Sequence, residues 1–254
     1  MRVLIASTAG AGHFGPLVPF ARACLEAGHE VLVAAPASFA SAVAAAGLGH
    51  VPFADVPPEI MGPVFARLPS LTEDEANDVV IGDVFGRLDA RAALPGVTAT
   101  IASWRPDIVL REPCEFASLV AAEWFGVPQV QVAIGLGSLG AWVLPILEEP
   151  LNELRAEAGL APDPTLECLR TLPGFTSVPA GFDEEVVEAD GRLWRFRDAS
   201  LTARPGSLPE PWGSAADPLV YVSFGSVAGG VGRFASVYPE AVAALAGLPL
   251  RVCC

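Results

Sequence analysis

The sequence predicts an α/β protein: a doubly wound parallel sheet followed by the opening of a second, smaller sheet unit. Three observations lead there. Short apolar runs alternate with stretches of helical period through the first 150 residues, the pattern of a parallel sheet flanked by helices. The first run, Arg2-Val3-Leu4-Ile5-Ala6, passes straight into a glycine-rich stretch over residues 7–16 and then into a helix. After residues 204–213, crowded with turn formers, strand, small-residue loop and helix begin again at Leu219. The expected organisation is therefore a first domain over 1–203, a linker over 204–217 and an incomplete unit over 218–254. That last piece is too short to bury a doubly wound core of its own, so the chain reads as cut within its second domain.

In chain order, Leu17, Phe20, Ala21, Cys24 and Leu25 recur at three- and four-residue steps, one face of a helix ending at Gly28. Pro16 suits its first turn, where a missing N–H costs nothing. Residues 30–34 read as a second strand, 37–46 as a helix stopped by Gly47, and 50–53 as a third strand. The stretch 54–71 carries Pro57, Pro58, Pro63 and Pro69 and reads as an irregular loop, either a pocket wall or a packed surface excursion. Thr72-Glu73-Asp74-Glu75 is a capping signature for a helical region that runs to Trp104. Residues 107–110 make the fourth strand, 114–125 a helix, 129–133 the fifth strand and 148–159 another helix. One or two strands are expected within 171–190, then a strand over 219–223 and a helix over 233–246.

Composition excludes several functions. With 15 basic against 29 acidic residues the net charge is -14, which argues against a nucleic-acid footprint or an anionic membrane surface. A soluble, cytoplasmic protein handling a small molecule is the better fit. Residues 124–147 carry no charge, but Pro128, Gln129, Gln131 and Pro145 interrupt them; a buried strand, a loop and a helix start account for them better than a bilayer span. The first strand leaves no room for a leader peptide. Cys24, Cys114, Cys168, Cys253 and Cys254 lack metal-ligand spacing and His13, His29 and His50 are scattered, so reduced thiols and no metal are expected.

Gly10-Ala11-Gly12-His13-Phe14-Gly15 matches the G-x-G-x-x-G dinucleotide fingerprint letter by letter. The fingerprint also needs an acid at the far end of the second strand for a ribose, and Ala34-Ala35-Pro36 stands there. Nor does a pyrophosphate cradle call for an imidazole. A histidine at the carboxyl end of a first strand is better placed as a base. Glu112 follows the fourth strand, and in a doubly wound sheet the order reverses between strands one and four, opening the ligand crevice there. The two side chains, remote in sequence, are expected to meet. A neutral imidazole can then take a proton from a hydroxyl, while a carboxylate on its other nitrogen fixes the tautomer. Plainer readings stand beside this one: Glu112 pairs with Arg111 or Arg105, and His13 is a satisfied loop residue. Glu115, expected inside the following helix, is a competing carboxylate.

Gly12-His13 with Pro16, the stretch Arg105-Pro106-Asp107-Ile108-Val109-Leu110-Arg111-Glu112, and Val220-Tyr221-Val222-Ser223-Phe224-Gly225-Ser226 together carry a resemblance. In that order and spacing the chain resembles GT-B nucleotide-sugar glycosyltransferases, above all the actinobacterial enzymes that decorate polyketide, macrolide or enediyne natural products. The resemblance implies two Rossmann-like domains facing a cleft, with the acceptor on the first and the sugar nucleotide mainly on the second. It implies His13 as catalytic base and Glu112 as its partner, where the family usually has Asp. It implies donor contacts at Gly12, Gly225 and Ser226, and we take Phe14, Phe85 and Trp142 as candidates for the acceptor wall. The co-substrate would be a UDP- or TDP-sugar, with no metal or other cofactor, in a single inverting displacement. Because most diphosphate contacts of that family lie outside this sequence, impaired transfer is expected. Two other functions remain open at this stage: an NAD(P)-dependent oxidoreductase, and a non-catalytic remnant or small-molecule binding module.

Overall fold

The computed structural model describes residues 1–136, 142–182, 192–198, 217–225 and 236–253. The chain divides into two compact units, Met1–Asp198 and Ala199–Cys254.

The first unit opens with β1 (Arg2–Ala6), buried after its first residue. The glycine-rich stretch that follows is not a free loop. After a short turn it becomes α1 (Ala11–Phe14) with Gly10 as N-cap, a 3-10 turn over Gly15–Leu17 and then α2 (Val18–Glu26). His13 therefore stands in a first helical turn, not on a loop. β2 (Glu30–Pro36), α3 (Ala40–Ala45) and β3 (Gly49–Phe53) follow as expected.

The proline-rich stretch is a correction. It forms α4 (Pro58–Arg67), because Pro57 is the N-cap and Pro58 the first helical residue, where proline is tolerated. Only Pro63 lies inside the helix. Thr72 then caps α5 (Glu73–Asn77) in a complete capping box with Glu75. A π-helix, Asp78–Asp89, comes next and passes into α6 (Ala90–Trp104). Its wide turns rest on α8 (Leu144–Glu157): a Cβ on Gly82 would stand 3.2 Å from Ile146, and one on Gly86 2.9 Å from Pro150. Glycine is what lets the two helices approach this closely.

β4 (Ile108–Arg111), α7 (Phe116–Phe125), β5 (Gln129–Val132), then α8, α9 (Glu167–Arg170), β6 (Gly174–Thr176) and β7 (Leu193–Arg195) complete the unit. The seven strands lie in the order β3-β2-β1-β4-β5-β6-β7, every pair parallel. This is the expected doubly wound, Rossmann-like sheet, with its reversal between β1 and β4. Alternate residues of β1 feed opposite faces. Val3 and Ile5 pack with Leu17, Ala21 and Val43, whereas Leu4 and Ala6 pack with Val97, Ile101, Ala117 and Ala121. A third cluster joins α7 to α8 through Phe116, Leu119, Leu151 and Leu154. The charge-free stretch holds β5 and the start of α8, and no helix among the described residues is long and apolar enough to cross a membrane.

In the second unit, β8 (Leu219–Tyr221) pairs in parallel with β9 (Arg251–Cys253), with α10 (Val237–Leu245) between them in sequence. The Tyr238 hydroxyl accepts from the Phe224 amide at 2.9 Å and donates to the Gly225 carbonyl at 3.1 Å, fixing the turn after β8. Gly225 has φ +77°, a backbone shape suited to glycine. Ser226 and nearly all of the expected linker lie outside the described residues.

Candidate active site at the switch between β1 and β4

Parallel pairing sets Ala6 opposite Arg111, so the residues just past both strand ends emerge side by side. The Glu112 amide donates to the Ala6 carbonyl at 3.2 Å, locking that register. Glu112 is completely buried, and its carboxylate takes four hydrogen bonds. Oε1 accepts from the Thr8 amide at 3.1 Å and the Thr8 hydroxyl at 2.9 Å. Oε2 accepts from the Cys114 amide at 2.7 Å and faces His13 Nδ1 at 3.1 Å. Burial alone would push Glu112 toward the neutral acid, but the His13 and backbone hydrogen bonds outweigh it and hold its pKa below the usual value. A carboxylate is acceptor-only, so Nδ1 must carry the proton it shares. That leaves Nε2 as the basic nitrogen, with no hydrogen-bond partner among the described residues.

The His13 ring is 22% exposed and tilts against Phe85 of the π-helix, centroids 5.2 Å apart. Beneath it lies Gly10, whose φ of +140° favours glycine and where a Cβ would stand a tight 3.2 Å from the ring. Burial lowers the imidazole pKa, but the hydrogen bond and charge of Glu112, with Asp89 behind them, raise it above 6.5 overall. Asp89, at the end of the π-helix, is itself pushed up to about 6 by burial and by the charge of Glu112.

The competing assignments resolve in the same place. Arg111 is fully buried, but its guanidinium donates to the Glu115 and Pro113 carbonyls and to Gln131 Oε1, not to Glu112. Arg105 is exposed at the left-handed C-cap of α6. Glu115 is not inside α7 but is its N-cap, accepting from the Ala117 and Ser118 amides, and so is fully occupied.

The other candidates are scattered. Phe14 is 5% exposed, in the core edge-on to Phe39, rather than on the crevice wall. Trp142 is 42% exposed just before α8. Gly12 is exposed, with nothing within 4 Å of where a Cβ would stand. Thr8, Cys114 and Asp89 were not singled out by sequence reasoning. Only the fold, by setting the two strand ends together, gives them a role.

Known proteins resemble this chain in sequence and in fold. A family model described as "Erythromycin biosynthesis protein CIII-like, N-terminal domain" matches residues 22–169, over half of the chain. L-Demethylnoviosyl transferase of Streptomyces niveus is 35% identical over 188 residues, 70% of this chain and 48% of its own length. The 10-deoxymethynolide desosaminyltransferase of Streptomyces venezuelae is 30% identical over 210 residues, 74% of this chain and 47% of its own. The chain spans about half the length of the curated relatives it matches. Among solved structures, the glycosyltransferase SnogD from Streptomyces nogalater superimposes with a TM-score of 0.66 at 25% identity, over 100% of this chain and 71% of that one. The spinosyn rhamnosyltransferase SpnG shares the fold at a TM-score of 0.71 and 21% identity, covering 99% of this chain and 64% of that one. The chain belongs to the erythromycin biosynthesis protein CIII-like family of actinobacterial natural-product glycosyltransferases and carries its N-terminal, Rossmann-like domain.

Proposed function

We propose that this chain supplies the acceptor-binding half of an inverting transferase, which moves a sugar from a nucleoside diphosphate to a hydroxyl of an apolar natural product. One observation carries the reading: a buried, four-times hydrogen-bonded Glu112 holds Nδ1 of His13, leaving Nε2 free. His13 takes the acceptor proton through Nε2 as the hydroxyl oxygen attacks the anomeric carbon and the diphosphate departs. The imidazolium so formed is stabilised by Glu112. Phe85, lying against the imidazole, supplies an apolar side to the acceptor site. The dyad meets proton removal without a metal, while the charge on the departing diphosphate falls to hydrogen-bond donors on the sugar-nucleotide side. Two solved neighbours, SsfS6 and SpnG, were crystallised with thymidine diphosphate, which favours a TDP-sugar over a UDP-sugar as donor. Gly12 and the Gly225 turn are the proposed donor contacts on this chain. The dinucleotide alternative lacks support, since β2 ends at Pro36 without a ribose-binding acid.

With most donor contacts of the family outside it, the 254-residue protein is expected to bind a polyketide aglycone saturably and to transfer sugar slowly or not at all. Joined to the donor half of a relative, it should turn over, and His13→Ala should then lower kcat by about 10²–10⁴ with little change in aglycone affinity. Turnover that survives His13→Ala intact overturns the reading.

A further inference from the structure

We propose that His13, Glu112 and Cys114 form a binding site for a thiophilic divalent cation such as Zn²⁺, and that filling it silences the imidazole. A ring nitrogen of His13, a carboxylate oxygen of Glu112 and the Cys114 sulfur all lie within 4.8 Å of one another. The sequence conceals the set, because His13 and Glu112 are 99 residues apart. β1 and β4 bring them together, and Cys114 follows two residues after Glu112 on the turn into α7. One nitrogen, one oxygen and one sulfur donor suit zinc or cadmium rather than magnesium or calcium. A tetrahedral zinc site holds its donors roughly 3.3–3.7 Å apart; His13 Nδ1 and Glu112 Oε2 already stand 3.1 Å apart, so closing the third side takes about 1 Å of movement by the sulfur. Neither flanking residue is sealed off: His13 and Cys114 are both partly exposed. The fourth position is left for water.

Charge favours the occupant. Glu112 is anionic and Asp89 adds further negative potential, opposed by the buried Arg111; burial and these two carboxylates push the Cys114 thiol up, so the cation itself must displace its proton. A divalent ion held by one carboxylate and one thiolate makes a neutral unit, the cheapest form to bury. The proton balance is simple. The metal takes the place of the proton on Nδ1, which is lost, and a proton from water enters at Nε2. The Cys114 thiol loses its proton as the sulfur–metal bond forms, so one proton is released overall. With Nε2 protonated, His13 has no lone pair for an acceptor hydroxyl. The silencing rests on the function proposed above, whereas the site itself does not.

The test reads metal directly. Cd²⁺ is titrated into the 254-residue chain carrying Cys253→Ser and Cys254→Ser, which removes the terminal thiol pair, and thiolate-to-cadmium absorption is followed in the ultraviolet. One equivalent should bind with that band, and Zn²⁺ should compete it away. Adding Cys114→Ser should abolish the band. His13→Ala, which leaves the remaining thiols in place, should weaken apparent affinity at least about tenfold. Both substitutions leave the buried Glu112 intact, and the thermal transition of each variant is compared with that of its parent. No band in the parent, a band indifferent to Cys114→Ser, or an affinity indifferent to His13→Ala overturns the site. Because no sugar transfer is measured, a failure of the transferase reading registers separately.

Discussion

At the scale of single residues, His13 and Glu112 make opposite demands of pH. Glu112 is held below 4.5, so its stabilising contribution is present above that value and is lost as pH falls through the lowered one. His13 is raised above 6.5, so its contribution is complete below 6.5 and is lost as pH climbs through the raised value. The pair therefore supports the fold most fully between pH 4.5 and 6.5. Base catalysis runs the other way, since it needs the neutral imidazole and should rise with a midpoint above pH 6.5. Asp89→Asn removes a charge that helps raise His13. It should shift the His13 titration, followed by NMR of its ring protons, to lower pH. Gly10→Ala should cost about 1–3 kcal/mol from the positive φ and shift the His13 ring by a few tenths of an ångström against Glu112, read as a lower melting temperature and a lower His13 pKa. At this scale the sequence was legible where chemistry and topology coincide. His13 and Glu112 stand just past the ends of strands that a doubly wound sheet must place together. Thr8 and Asp89 were illegible, because a hydroxyl at a strand end and an acid in a helix look the same in many proteins that use neither.

At the scale of elements, the π-helix decides how the base is dressed. Gly82 and Gly86 face α8, while Phe85 faces the imidazole. Arg87 reaches Glu149 and Glu153, tying the π-helix to α8, and Arg91 at the start of α6 reaches Glu153 and Glu157 of the same α8. Arg87 is partly buried and shares Glu153 with Arg91, but surface pairs of this kind are worth about 0–1 kcal/mol each, so close approach of the helices depends more on the glycines. Gly86→Ala would gain about 0.5–1 kcal/mol of helix propensity, but it sets a methyl 2.9 Å from Pro150 and 3.2 Å from the Ile81 carbonyl. The clash should win, lowering stability by about 1–3 kcal/mol, read as a lower melting temperature. The capping box of α5 could be read straight from Thr72 and Glu75, whose side chains satisfy each other's backbone within four residues. α4 could not. Four prolines look like breakers until Pro57 is seen at the N-cap, Pro58 in the first turn and Pro69 past the end, with Pro63 alone inside. Nor does any local pattern separate a π-helix from an α-helix, because the wider turn is imposed by what packs against it.

For the whole molecule, the three apolar clusters all lie within Met1–Asp198. In the second unit neither α10 nor the two short strands has a buried residue among those described. A two-stranded sheet with one helix is marginal on its own. Hydrogen exchange should therefore divide along the chain: amides of β1, β2, β4 and α7 persist longest, and those of β8 and β9 exchange orders of magnitude sooner. Equal protection in both units would refute this. The parallel sheet of the first unit was legible because its strands are buried on both faces and read as unbroken apolar runs. The second unit was legible only as one strand, a small-residue loop and a helix, its partner strand β9 being too short to stand out.

Arg111 sets one further limit. By spending every arm of its guanidinium on the 113–115 backbone and on Gln131, it ties the turn that carries Glu112 to the floor of the sheet. Loosening that one side chain should therefore unseat the whole turn rather than a single contact, and with it the carboxylate that meets His13.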